Sequence, residues 1–372
     1  MSDSFSGILK LTEQGFGFLH NPKDLIRFHD RGPFVPPQLV KKYRLPHGAT
    51  VRGPVENKEK GPQLAAVEAI GGLAPAAFER RRPYTRLVAV DPTERFHLDA
   101  CGLPAMRLVD LFAPIGRGSR GLIISPPKAG KTTLLQNIAE AIRFAHPETR
   151  IMVLLIDERP EEVTHFRRHI DAEVFASTND RSPRDHIALV TWVLAHVQIE
   201  LECGHDVVVL IDSITRISRA FNTASQSRGR IMSGGLEAGA LEIPRRLFGL
   251  ARNIEDGGSV TLIATALTDT GSRMDQLILE EFKGTGNTEI VLDRGLAEAR
   301  MFPAIDLAAG GTRKEELLLG PERAPEVAKL RRLLATRAPR QVMDALLTLL
   351  TRHPTNAELL ASIADLEPSG LG

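Results

Sequence analysis

The chain has 372 residues, 42% of them hydrophobic and 25% charged, with a formal net charge of +1. These are the proportions of a folded globular protein of more than one domain, and they exclude a disordered chain and a global field that would draw it to nucleic acid. Cys101 and Cys203 are too few for a disulfide framework and read as free thiols of a reducing cytosol. The start MSDSFSGILKL shows no basic run leading into an apolar core, and no apolar run nears the ~20 residues that cross a bilayer, so the expectation is a cytoplasmic protein without a signal peptide or membrane contact.

Residues 1–72 are short apolar stretches (GILKL, GFGFLH, GPFVPP, ATVRGPV, QLAAVEAI) broken by Gly, Pro, Asn and Asp. That texture predicts a small antiparallel barrel. In GFGFLH, Phe16 and Phe18 alternate with glycine, which puts both rings on one strand face. Two readings stay open there: barrel core, or a platform on which bases stack, with the small glycines letting the bases approach. Lys41, Lys42 and Arg44 read equally as phosphate contacts or as a solvated basic face. Residues 73–100, rich in Pro, Ala and Arg, read as a connector.

Over 101–372 buried-strand runs alternate with helical patterns. The runs are GLIIS, IMVLLIDE, AEVFAST, DVVVLIDS, SVTLIATAL and TEIVLD. Continuous apolar strands between helices predict a mostly parallel sheet covered on both faces, an α/β domain. From about Pro321 the leucine spacing predicts a helical tail.

The strand RGLIIS runs into SPPKAGKT and then the helical TLLQNIAEAI, the strand–loop–helix context of a phosphate-binding loop. Gly130 lets the amides curl toward phosphate oxygens, Lys131 reaches the β- and γ-phosphates, and Thr132 ligates magnesium. Ser125 stands where the usual pattern has glycine; small residues also turn a strand end. Asp212, closing DVVVLID, is placed to hold the magnesium water shell. Glu158, closing LLIDE, is placed to orient and deprotonate the attacking water, while Glu161 and Glu162 suit the first turn of a following helix. Arginines in DSITRISRA, LAEARMFPAID and GGTRKEELL are candidates to reach a neighbour's phosphate or to form surface ion pairs, and the residues alone do not choose among them.

The combination GFGFL, GRGSRGLIISPPKAGKTTLLQNIA, MVLLIDERPEEVT, LIDSITR, ATALTDTGSRMD, EEFKGTGN and FPAIDLAAGGTRKEELL resembles the Rho family of transcription termination factors. The likeness runs from about Gly15 to about Ala364. It implies a RecA-like P-loop NTPase domain behind an OB/cold-shock-like barrel. The implied activity is an RNA-dependent ATPase and helicase that translocates on single-stranded RNA from 5′ to 3′ and releases it from the RNA polymerase elongation complex, working as a homohexameric ring with ATP and Mg2+.

By the same resemblance, Gly116, Arg117, Gly118, Ser119, Arg120 and Gly121, with Lys128, Ala129, Gly130, Lys131, Thr132 and Thr133, are ATP-contacting. Glu158 is the catalytic glutamate, Arg159 a γ-phosphate sensor, Asp212 the magnesium aspartate, and Phe302 the ring that packs on adenine. Arg313 is an arginine finger given to the neighbouring subunit, and Arg300 a second inter-subunit candidate. Phe16, Phe18, His20 and Phe34 belong to a first RNA site. Ile231, Ser233 and Arg273 belong to a second site in the central pore, with Lys283 nearby.

The sequence departs from the family in places. The chain begins almost at the barrel, which implies a form lacking the N-terminal helical subdomain. His20 stands where an arginine is usual, and Gly61–Gln63 where a glutamate and an aromatic are usual, so the expectation is a weaker, less pyrimidine-selective platform. Arg273 replaces a lysine, and Thr133 a larger apolar residue near adenine. The competing functions are a RecA-like or rotary-type ATPase acting on DNA or protein, against which the GFGFL barrel argues, and a passive RNA binder. Lys131, Thr132, Glu158, Asp212 and Arg313 together argue against the second.

Overall fold

A computed structural model describes residues 4–21, 32–225, 235–237 and 239–363. The N-terminal strands are β1 (Ser4–Leu11), β2 (Gly17–His20), β3 (Phe34–Val35), β4 (Thr50–Lys58), β5 (Gly61–Leu64) and β6 (Ala69–Ile70), with α1 (Pro37–Tyr43) between β3 and β4. They pair in the order β1-β2-β3-β5-β4-β6, and β1 also pairs with β4, so the sheet closes into a barrel. Its core is Leu9, Leu19, Val35, Val51, Leu64 and Ile70, the inward half of each alternation.

The connector is not a loose tether. It forms α2 (Pro75–Glu79) and β7 (Ala89–Val90), and β7 pairs with a strand of the second sheet.

In the second unit α3 (Pro104–Phe112) precedes β8 (Arg120–Ser125), α4 (Lys131–Ala145), β9 (Arg150–Glu158), α5 (Pro160–His169), β10 (Glu173–Thr178), α6 (Pro183–Glu202), β11 (Val207–Asp212) and α7 (Ile214–Ser225). Then come α8 (Glu242–Phe248), β12 (Arg252–Ile254), β13 (Ser259–Leu267), α9 (Arg273–Phe282), β14 (Thr288–Leu292), α10 (Arg294–Glu298) and β15 (Ile305–Thr312). Helices α11 (Glu316–Leu334), α12 (Pro339–Arg352) and α13 (Asn356–Ile363) close the chain. The sheet runs β10-β9-β11-β13-β8-β14-β15. It is parallel except for β15, which pairs antiparallel with β14, and for β12 and β7 at one margin.

All six apolar runs read from the sequence are strands of this sheet. Two large apolar clusters cover its faces, as a parallel sheet requires. The parallel register puts the C-terminal ends of β9, β11 and, one strand further across β13, β8 along the same edge of the sheet, and those ends carry Glu158, Asp212 and Ser125.

The barrel is bonded to α6. Trp192 Nε1 donates to Leu9 O at 3.1 Å, Thr50 Oγ1 donates to Glu200 Oε1 at 2.9 Å, and the buried His196 bonds through Nδ1 to Gly48 O at 2.7 Å. Arg150, the first residue of β9, joins this knot through Glu173 and Glu200, each at 2.7 Å. The helical tail is anchored by Arg107, whose guanidinium caps α12 on Leu350 O and His353 O and bonds Asn356 Oδ1. Among the described residues no helix is long and apolar enough to cross a membrane.

Candidate functional site: a phosphate loop and an aromatic face

The loop after β8 is shaped to receive an anion. Lys128 and Gly130 both have positive φ, 66° and 94°, which turns successive amides to one side ahead of the N-terminus of α4. Ser125 has no such φ. Its side chain is buried and its hydroxyl bonds Pro126 O at 2.8 Å, so glycine is not needed at that position.

Lys131 Nζ bonds Asp212 Oδ1 and lies 3.3 Å from Glu158 Oε1. Thr132 Oγ1 donates to Asp212 Oδ2 at 3.1 Å, and Thr265 on the neighbouring strand donates to Asp212 Oδ1 at 2.7 Å. Two buried carboxylates thus converge on one ammonium. Burial pushes the Glu158 carboxyl up, the Asp212 charge adds to it, and Lys131 and Arg216 pull the other way; the result is about 7. A carboxyl poised there is matched to taking a proton from water at neutral pH.

Arg216 was one of several undifferentiated arginines in the sequence. Its Nε lies 3.3 Å from Glu158 Oε1, and its Nη1 bonds Asp157 O. Arg159, next to Glu158, is exposed and is the N-cap residue of α5, with Glu161 and Glu162 in that helix's first turn as expected. Phe302 stands beside the loop: the residue is 49% exposed, and a Cβ on Gly130 would lie 3.9 Å from its ring.

On the barrel, Phe16, Phe18 and Phe34 form one cluster with ring centroids 5.5 to 5.9 Å apart. They are half-buried, while Leu19 and Val35, their neighbours in sequence, fill the core. The choice between core and platform therefore falls to an outward aromatic face. The glycine between the phenylalanines has another reason than base access. A Cβ on Gly17 would stand 2.7 Å from Lys10 O and from Leu9 Cδ1, so close strand packing requires it.

A profile for the RNA-binding domain of Rho termination factor matches residues 5–76, and one for the ATP synthase alpha/beta family nucleotide-binding domain matches residues 105–310. Transcription termination factor Rho of Aquifex aeolicus is 47% identical over 367 residues, 96% of this chain and 84% of that protein. The Karelsulcia muelleri protein of that name is 43% identical over 354 residues, 94% of this chain and 93% of its own length. The chain belongs to the Rho family. It spans only 50% of the Streptomyces lividans Rho, to which it is 45% identical over 360 residues. A prototypical ATPase from the type III secretion system of pathogenic bacteria shares the fold, with a TM-score of 0.61 at 22% identity over 86% of this chain and 90% of that one.

The remaining Rho-type positions fall in three places. Gly116–Gly121 do not join the phosphate loop. They sit at the opposite end of β8, a six-residue strand, roughly 20 Å away. Arg117 there is held by Glu94 and Asp206 and stacks on Phe96, while Arg120 lines a cavity of about 340 Å³ together with Arg252 and Arg313. The Nε atoms of Arg120 and Arg252 are buried without a hydrogen-bond partner among the described residues. Arg313 is exposed, with Nη2 on Gly284 O at 2.8 Å. Arg300 is exposed, with a φ of 58°.

His20 is buried, and its ring meets Trp192 edge-on at 5.5 Å, so in this Rho-family barrel it lies at the joint with α6 rather than on the open aromatic face. Gln63 stands in register with Phe34. Arg273 opens α9 and is exposed; with Lys283 it lines a cavity of about 860 Å³. Ile231 and Ser233 lie outside the described residues.

Proposed function

We propose that this Rho-family chain is an RNA-dependent ATPase and helicase. On this reading it moves 5′ to 3′ along single-stranded RNA as a homohexameric ring in the cytoplasm and releases nascent RNA from the RNA polymerase elongation complex. The observation that carries the reading is that one chain holds both a phosphate loop with a matched buried base and an outward three-phenylalanine face on a closed barrel. Three rings at stacking separation suit single-stranded bases and have no evident use in an ATPase acting on protein.

Glu158 takes the proton of the attacking water, and Arg216 and Lys131 hold its carboxylate in place. Lys131 turns to the β- and γ-phosphates when ATP arrives, and the amides of Lys128–Gly130 cradle the phosphate oxygens. Thr132 Oγ1 and Asp212 Oδ2, 3.1 Å apart, are the hard oxygen donors that Mg2+ takes alongside phosphate oxygens and water, so the residues fit that ion. Bound there, Mg2+ neutralises charge on the transferred phosphoryl group. Phe302 supports the base. Arg313 serves the phosphate of an adjacent copy, and Arg120, lining the same cavity, belongs with that outward-facing half.

Hydrolysis by the purified protein, measured without polymer and with poly(C), poly(U), poly(A) or double-stranded DNA, beside Glu158→Gln, tests the reading. Strong stimulation by single-stranded RNA that vanishes in the variant is expected. Hydrolysis indifferent to RNA, or raised only by DNA, overturns it.

A further inference from the structure

The cleft beside the phosphate loop has a composition that bears on which base it takes. It measures about 440 Å³ and is walled by apolar residues, among them Leu103, Leu134, Leu292 and Phe302. Only two lining residues carry polar side-chain atoms, Thr133 and Asn137. They lie four residues apart on α4, hence on one face of the helix, one turn above the other. Among the described residues neither side chain has a hydrogen-bond partner. A flat base laid on the exposed Phe302 ring buries its faces against apolar walls, and its polar edge then needs partners inside the cleft.

We propose that Asn137, with Thr133 beneath it, reads the hydrogen-bonding edge of the nucleobase. This rests on the nucleotide-binding reading above and names the residue that sets base choice within it. A carboxamide donates and accepts at once. Adenine offers the complement, an exocyclic amine that donates beside a ring nitrogen that accepts. Because the amide can turn over, guanine's carbonyl beside its N1–H also finds partners. A carboxylate at the same position only accepts, and would suit guanine's N1–H and amine together while leaving adenine's ring nitrogen unpaired.

Calorimetric affinities of the full chain for ADP, GDP, purine riboside 5′-diphosphate and inorganic pyrophosphate test this. In Asn137→Ala, ADP affinity falls about tenfold, equivalent to about 1.4 kcal/mol, while pyrophosphate affinity holds, which also shows that the loop is still folded. Purine riboside diphosphate, which lacks the exocyclic amine, binds the unmodified chain about as weakly as ADP binds Asn137→Ala, and the variant costs it little more. Asn137→Asp shifts the ratio of ADP to GDP affinity at least tenfold toward GDP. Thr133→Val, which keeps the shape, gives a smaller loss confined to the base-bearing ligands.

ADP affinity unchanged in Asn137→Ala, or all diphosphates and pyrophosphate weakened alike, overturns the proposal. An unmodified chain that binds ADP no better than pyrophosphate overturns it too, while leaving the phosphate loop intact as a reading. None of these readouts uses turnover, so a chain that fails to hydrolyse ATP counts against the proposed function alone.

Discussion

Arg216 and Arg219 stand one turn apart on α7 and grip two different elements. Arg216 Nε lies 3.3 Å from Glu158 Oε1, at the end of β9. Arg219 holds Asp275 with both arms of its fork, Nε to Oδ1 at 2.8 Å, in the first turn of α9 just behind Arg273. One rigid helix therefore joins the proposed base, Glu158, to the helix that presents the candidate pore arginine. Arg219→Ala is expected to reduce the factor by which RNA raises kcat several-fold more than it reduces hydrolysis without RNA. Equal losses with and without RNA would mean that α7 does not transmit between them.

As the proposed general base, Glu158 sets a pH dependence. Its carboxyl is raised to about 7 by burial, and a general base acts only when ionised. kcat/KM for ATP therefore falls as pH drops through about 7, approaching tenfold per unit below it. Arg216 is one of the charges that hold the value down, so Arg216→Ala moves this acid limb to higher pH. A pH profile of kcat/KM for the two proteins checks the direction; a shift to lower pH would count against Glu158 as the base.

Much of this was legible in the sequence, because the informative residues lie at strand ends. A buried apolar run closed by a carboxylate needs only the parallel sheet to deliver Glu158 and Asp212 to the phosphate loop. The limits are equally physical. Gly116–Gly121 and Lys128–Thr133 are close in sequence, yet a whole strand separates them in space. The arginines of α7 and Arg313, just past β15, differ only in direction, which tertiary packing sets. Gly17 looked like room for a base, but the β1 backbone occupies that room. β15 was missed because its AAGG stretch lacks the apolar content of a buried strand, and its burial is correspondingly partial.

Trp192 is the chain's single tryptophan. It is buried at the joint between barrel and ATPase unit, bonded to Leu9 O and meeting His20 edge-on. His20 closes the strand that carries Phe18. Binding of a short single-stranded RNA to the aromatic face is expected to change the intrinsic emission saturably. Phe18→Ala and Phe34→Ala should each weaken that binding about tenfold or more, the scale of one lost stack at ~1–3 kcal/mol. Emission that responds to RNA equally in both variants would place the RNA elsewhere.

The joint itself is acid-sensitive. Burial works to raise the Glu200 carboxyl, but the hydrogen bond from His205 and the charge of Arg150 outweigh it and hold it well below the usual carboxylate range. Burial holds His196 down, so it is neutral when folded. Both groups take up protons more readily in the unfolded chain. Their contribution is therefore full above about pH 6.5 and is lost as pH falls, first through His196 and then, below the ordinary glutamate range near ~4.3, through Glu200. Glu200→Ala removes the acceptor of Thr50, His205 and one arm of Arg150, which keeps Glu173, and should cost roughly 1–3 kcal/mol. Denaturant titrations at pH 8 and pH 5 check both; stability unchanged between those pH values would remove His196 from the account.

Arg313 and Lys131 make a prediction about assembly, because on the proposed function they serve different phosphates. Arg313 lines a cavity with Arg120 and Arg252 at the end of β8 remote from its own phosphate loop, and among the described residues its guanidinium bonds Gly284 O, not the Lys131 site. Lys131→Ala should lower RNA-stimulated hydrolysis by at least about a hundredfold, and Arg313→Ala by about 10³–10⁵, the range of arginine fingers. In mixed rings some interfaces pair an intact phosphate loop from one variant with an intact Arg313 from the other. Mixing the two inactive proteins, with dissociation and reassembly, is therefore expected to restore a measurable fraction of the activity. If the mixture stays as inactive as its parts while each variant still assembles and binds RNA, Arg313 acts within its own chain or not on the phosphate at all.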